Sequence, residues 1–395
     1  MRVRRGWRWF FSGLVLALVA AGALLATLSQ TGWGQRRVLR VTLGAVGGNI
    51  QGQLTVERLA GNLLVGARLY GISIRGSDGE PFLEADSAFA EYRLPTLLGT
   101  QLAIRRLVLY GPRVEIRQLP GDTLWNYQRI FTDTLSTDTV SERTTSIDRL
   151  DFVGGTVRVM YAWEPETEQP GAARQAEIRE ALSDSSLLVV QRVPGGLLRT
   201  MRFTDLHGTL SEAFFPSPVG RGSYFRVDSL AGRMFIYRDP LVIRRAQGEI
   251  AIRDSVMELR VPDVILPRSR LSLQGVVLIA EDNPVDLTLR SDTFALADLQ
   301  WLYPRLPAEG GGASTLRWQT RPDGTLFLAR DLRLSMPGTR IRGSFGLVVG
   351  DTLRFTDVDL VADPLRTETV ERLLPEGLPV RGLRIGSVEV RGPDG

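Results

Sequence analysis

Over most of this chain the apolar residues skip one position at a time. Ile250 and Ile252 alternate with polar neighbours, as do Met257, Leu259 and Val261. The same holds for Val285, Leu287 and Leu289, for Leu332 and Leu334, and for Val358 and Leu360. In an extended chain such residues all point to one face. That face is apolar, and the other carries arginine, aspartate and threonine. Shorter runs of the same kind begin at Leu54 and Val56 and continue through Ile72 and Ile74, Leu107 and Leu109, and Val114 and Ile116. Ser77-Asp78-Gly79, Gly111-Pro112 and Pro120-Gly121-Asp122 separate them as turns. Residues 147–161 read as strand, Gly154-Gly155 turn, strand. The pattern predicts a mostly β chain from residue 53. Helix is expected at residues 35–46, in a polar excursion near 172–182, and at short corners such as 95–99 and 297–303.

One stretch has no alternation. Residues 9–28, WFFSGLVLALVAAGALLATL, are uncharged, and no charge occurs between Arg8 and Arg36. About twenty such residues span a hydrocarbon core of roughly 30 Å as a helix. Trp9, Phe10, Leu14, Leu18, Leu24 and Leu28 are its membrane-facing candidates. Arg2, Arg4, Arg5 and Arg8 precede it and place the N-terminus in the cytoplasm, with the rest across the membrane. A cleaved signal peptide is the competing reading. The run exceeds the usual apolar region of such peptides, and no Ala-x-Ala site follows closely. Both readings export the chain.

Residues 1–34 thus form a cytoplasmic tip and anchor, and 35–131 a helix plus a β module. Residues 132–225 form a β module with polar insertions, the first boundary being the Thr/Ser/Asp-rich loop near 132–146. Residues 226–395 carry repeated β units. Within them residues 263–275 (DVILPRSRLSLQG) lie over 331–343 (DLRLSMPGTRIRG). Trp301-Leu302-Tyr303-Pro304 matches Arg372-Leu373-Leu374-Pro375, and Pro322-Asp323-Gly324 matches Pro393-Asp394-Gly395. The last repeat stops at its third landmark, the expectation being that the chain is the N-terminal part of a longer protein.

Charge changes the picture once it is divided by region. The 48 basic and 44 acidic residues give a net charge of +4. Without the seven arginines of residues 1–40, where no acid occurs, 41 basic residues face 44 acidic ones. The basic excess belongs to the membrane-proximal end, so nucleic acid is not an expected partner. Cysteine is absent, which excludes disulfides, iron–sulfur clusters and cysteine nucleophiles. The single histidine, His207, sits in the turn-like Thr-Asp-Leu-His-Gly, without evident partners for a metal site or a triad. No lysine occurs, so a P-loop is impossible, and no G-x-G-x-x-G, H-E-x-x-H or G-x-S-x-G unit is in a usable context. Asp133, Asp138 and Glu142 lack the glycine and terminal glutamate of a calcium loop. No enzyme activity, cofactor or metal is expected.

The chain resembles the AsmA-like superfamily, which includes the TamB-type envelope proteins of diderm bacteria. The resemblance rests on the anchor, Gly61-Asn62-Leu63-Leu64-Val65-Gly66-Ala67-Arg68-Leu69 and Gly71-Ile72. It rests further on Leu107-Val108-Leu109-Tyr110-Gly111-Pro112-Arg113-Val114, the segment 122–126 before Tyr127, the strand–Gly-Gly–strand at 148–159 and the Leu-Tyr-Pro unit. It implies an inner-membrane-anchored, elongated periplasmic antiparallel β-sheet, curled into a gutter with an apolar lining. It also implies phospholipid carriage between the membranes, and an outer-membrane barrel of the Omp85 type as partner. The barrel-binding C-terminal region of TamB-like proteins is not recognisable here. Val285, Leu287, Leu289, Leu332, Leu334, Val358 and Leu360 are the candidate groove residues. A scaffold that templates outer-membrane strands by β-augmentation is the alternative.

Overall fold

In a computed structural model, residues 52–391 are described, apart from 62–65, 93–100, 132–143, 166–169, 184–190, 216–222, 254–255, 279–283, 351–352, 367 and 369–387. The anchor residues Trp9, Phe10, Leu14, Leu18, Leu24 and Leu28 lie outside the described residues. So do the helix expected at 35–46, the corner at 95–99 and the second copies of the last two repeat landmarks. Among the described residues no helix is long and apolar enough to cross a membrane.

The described chain is mostly strand, in a single sheet of 18 strands. The first eight are β1 (Gly52–Ala60), β2 (Gly66–Gly76), β3 (Pro81–Tyr92), β4 (Gln101–Tyr110), β5 (Arg113–Arg117), β6 (Thr144–Trp163), β7 (Gln191–Val193) and β8 (Gly196–Phe215). Then follow β9 (Ser223–Phe235), β10 (Leu241–Arg253), β11 (Val256–Ile265), β12 (Arg270–Leu278), β13 (Val285–Ala295), β14 (Gly311–Arg321), β15 (Gly324–Met336), β16 (Thr339–Val349), β17 (Leu353–Ala362) and β18 (Val388–Arg391). From β8 to β18 each strand pairs antiparallel with the next, in one continuous meander.

The antiparallel expectation fails at one place. β4 and β5 both run parallel to β6, from Gln101↔Thr144 to Arg117↔Met160. Gly111-Pro112 is therefore a kink within one strand, not a reversal. Gly154-Gly155 is likewise no turn, because β6 passes through it unbroken. Gly111 (φ 57°) and Gly154 (φ 70°) kink side by side, and Gly111 N–H donates to the Val153 carbonyl at 2.9 Å. A parallel pair needs a crossover, and α1 (Asn126–Phe131) supplies it. No helix was expected there. Its Ile130 is 2 % exposed. Asn126 anchors α1 by donating to the Glu115 carbonyl (2.7 Å) and accepting from Arg117 N–H (2.9 Å).

The polar excursion does hold a helix, α2 (Ala172–Ser183), whose Ala181 and Ile178 pack with Leu197 and Trp163. The expected corner after β13 is a 3₁₀ turn, Leu296–Leu299, pinned by Asp298 accepting from Ser269 Oγ (2.6 Å) and Arg268 N–H (2.8 Å). The two copies of the first repeat landmark each run through a hairpin end, but their ladders differ. Val264 pairs with Leu271, whereas its counterpart Leu332 pairs with Gly343.

A line of β-bulges crosses the second half of the sheet. Register slips at Asp228 of β9, Pro262 of β11, Asp292 of β13, Asp331 of β15 and Asp357 of β17. Asp331 (φ 53°) and Asp357 (φ 51°) are left-handed, a conformation that aspartate tolerates better than most residues. Each bulge adds one residue to an odd-numbered strand, bends it and raises its twist. β12, β14 and β16 run straight through that line, whereas β10 carries a slip of its own between Ile243 and Ala246. Buried residues form small separate clusters, such as Ile72, Ala85 and Ala88, or Leu326, Leu328 and Val348. One extended interior of the sandwich kind is not present among the described residues.

Candidate functional site

Cross-strand partners share a face, so the ladders trace what each face offers. One unbroken row runs Phe225–Ile250–Leu259–Gly275–Leu287–Trp318–Phe327–Leu347–Phe355, one residue per strand from β9 to β17. A second, two residues along, runs Val261–Leu273–Leu289–Leu316–Ala329–Phe345. Gly275 (φ 146°) marks a close approach: a Cβ there would lie 2.1 Å from the Asp286 carbonyl oxygen.

The seven sequence-predicted residues all occupy this face. Val285, Leu287 and Leu289 belong to the rows on one side of the bulge line. Leu332 and Leu360 meet on the other side through Gly343, and Leu334 sits opposite Ile341. Val358 is two positions from Leu360 beyond the Asp357 bulge. Leu287 is buried, and the other six are half-buried. The bulges keep apolar side chains on one face across the slip, because Ala329 and Leu332 both point there despite their odd spacing.

Sequence reasoning missed the aromatic part of the face. Trp318 and Phe327 stack across the ladder at 5.9 Å between centroids. Trp318 is 38 % exposed, Val349 43 % and Phe355 68 %. Alternation in Leu316-Arg317-Trp318 and Phe345-Gly346-Leu347 was the available signal.

One residue out of phase, the opposite row reads Arg226–Glu249–Arg260–Gln274–Thr288–Arg317, polar from β9 to β14, and then meets the buried Leu328 on β15. Its charges pair across strands, Arg226 with Glu212 (3.2 Å) and Arg317 with Asp286 (2.9 Å). The Arg317 hydrogen bond outweighs partial burial and holds the Asp286 carboxyl below its usual range.

The polar face also contains a built charge cluster. Asp151 of β6 accepts from Arg106 of β4 (3.0 Å), Arg149 (3.0 Å) and Thr209 of β8 (2.8 Å). Burial pushes this carboxyl up, but the hydrogen bonds from Arg149, Thr209 and Arg106 prevail and hold it low. His207, expected in a solvated turn, instead lies inside β8 opposite Ala231 and lines the same furrow. The turn-like Thr-Asp-Leu signature reflects a bulge at Asp205 (φ 53°), not a reversal. Among the described residues no group of three or more carboxylate or histidine side chains could hold a metal.

Neither a protein-family model, nor a curated protein, nor a solved structure matches this chain.

Proposed function

We propose that this chain is an AsmA-like, TamB-type envelope protein: anchored in the inner membrane, with its bulk in the periplasm, and carrying phospholipids between the two membranes of a diderm bacterium. The observation that carries the reading is the nine-residue apolar row from Phe225 to Phe355, of which Trp318 and Phe355 are exposed. Contiguous exposed apolar surface marks a binding face. Each acyl CH₂ withdrawn from water there gains about 0.8 kcal/mol. The odd-strand bulges favour a sheet curled into a gutter, since each adds twist in the same place along its strand. Head groups then stay in solvent at the mouth, and transport needs no catalytic residue, cofactor or metal.

An Omp85-type outer-membrane barrel is the partner that the family likeness implies. Nucleic acid is not a partner in this reading.

Mass spectrometry of phospholipid carried by the purified chain tests it. Wild type is expected to carry phospholipid, and Trp318→Asp to stay folded and lose it. A folded variant with normal lipid removes the apolar row from the path.

One observation favours a second reading, strand templating. β18 pairs β17 only from Asp359 to Ala362, so residues 353–358 have no outer ladder among the described residues. Such an edge accepts an added strand. A proline at Arg354 or Thr356 that abolished barrel assembly while leaving lipid carriage intact would favour templating.

A further inference from the structure

The polar face has a furrow of about 490 Å³ that runs over β4, β6, β8, β9 and β10. Its charged lining is Arg106 from β4, Arg149 and Asp151 from β6, and Arg244 and Arg245 from β10, with His207 from β8. Ser229 and Ala231 of β9 add no charge. The lining therefore carries four guanidiniums and one carboxylate, which Arg106 and Arg149 already engage, while Arg244 and Arg245 line the furrow from β10. Both Asp151 oxygens are already engaged, by Arg149 and Thr209 at Oδ1 and by Arg106 and Arg149 at Oδ2. Asp228 of β9, a further carboxylate that acts on Arg149, accepts from Ser211 at 2.8 Å.

Asp151 does more than neutralise. Its side chain is 10 % exposed, and it grips Arg106 by Nε and Nη2 and Arg149 by Nε. Those bonds fix two planar forks while leaving Nη1 of Arg106 and both Nη groups of Arg149 without a described partner. Both side chains are about half exposed, at 49 % and 53 %. Arg245 is engaged only through Gln247 (3.1 Å), and Arg244 has no described side-chain partner.

We infer that this furrow is a binding site for a phosphate-type oxyanion, most simply a phosphate ester. Fixed guanidinium forks suit a multidentate tetrahedral anion. The volume exceeds that of a bare ion and leaves room for an ester substituent. Arg106 and Arg149 are the preorganised donors, Asp151 and Thr209 position them, and Arg244 and Arg245 close the anion from the far strand. The site is on the face opposite the apolar rows, so it stands independently of lipid carriage there.

The test uses the full chain in phosphatidylcholine nanodiscs at low salt, titrated calorimetrically with inorganic phosphate, glycerol 3-phosphate and water-soluble dihexanoyl phosphatidylglycerol. Saturable binding of at least one is expected, weakened about tenfold or more by Arg244→Gln/Arg245→Gln, as loss of charge-assisted hydrogen bonds requires. Both residues are exposed, so the variant keeps its fold, which its thermal transition verifies. Tighter binding of glycerol 3-phosphate identifies a soluble ester as the source. Tighter binding of the dihexanoyl lipid that survives Trp318→Asp identifies a lipid head group. Either supports the site. No saturable binding by wild type, or equal binding by the double variant, overturns it. Lipid lost in Trp318→Asp with phosphate binding intact separates this outcome from that of the apolar face.

Discussion

The sheet handles its apolar face differently in its two halves. Around β2 and β3 that face is filled by small side chains: Ala85 and Ala88 are 2 % and 3 % exposed, with Leu54, Val56, Leu69, Leu83, Leu107 and Leu109 packed over them. The crossover helix α1 adds the buried Ile130 at the same end. From β9 to β12 a cluster around Ala246, Val264 and Leu266 is still packed, but toward β17 the same alternation leaves Trp318, Val349 and Phe355 exposed. Alternation alone thus specifies a face, and side-chain size and a covering element decide whether it becomes an interior or a surface.

The largest separation between the halves comes from charge. Ala85→Asp places a carboxylate among packed leucines and is expected to cost about 4 kcal/mol, read as a large fall in denaturant midpoint. Leu334→Asp tests the other half, where a half-buried side chain lets the carboxylate reach water. A loss of about 1 kcal/mol is expected there, with co-purified phospholipid sharply reduced. Equal destabilisation by the two substitutions would erase the distinction.

Backbone crowding gives the next effect. In Gly343→Ala the new Cβ would sit 1.8 Å from the Asp359 carbonyl oxygen at φ 133°, for an expected cost of about 3 kcal/mol by thermal unfolding. A neutral outcome would mean that β16 and β17 separate easily.

Acid should act on the first half through Asp151. Its carboxyl is held low, so its contribution is present above the ordinary carboxylate pKa of about 3.9 and is lost as pH falls through the lower folded value. Wild type should therefore lose stability below about pH 4 more steeply than Asp151→Asn, which starts less stable at neutral pH. Parallel acid profiles would remove that role. The smallest effect is expected from Phe355→Ser, within about 0.5 kcal/mol because the ring is already exposed.

Period-two spacing made the strands legible and put the seven residues named from it on one shared face. It failed where glycine has two meanings. Gly111-Pro112 and Gly154-Gly155 have turn composition, yet neighbouring strands hold them as kinks in a parallel pair, which only a distant partner can specify. The same applies to Thr-Asp-Leu-His-Gly, where Asp205 makes a bulge inside a strand. Local chemistry reports that the backbone departs from extended geometry, and long-range pairing decides whether it turns back. The furrow around Asp151 was invisible for the same reason, since residues 106, 151 and 209 meet only through the ladder.

The aspartate bulges have a consequence for how such a chain can change in length. From β11 to β17 bulged and straight strands alternate, so the repeating unit there is the hairpin and not the single strand. Removing β14 and β15 together would join a bulged β13 to a straight β16, keeping chain direction and the bend line. Removing one strand would reverse the direction of every later strand and set two bulged or two straight strands side by side. Growth and shrinkage of this sheet are therefore quantised in pairs.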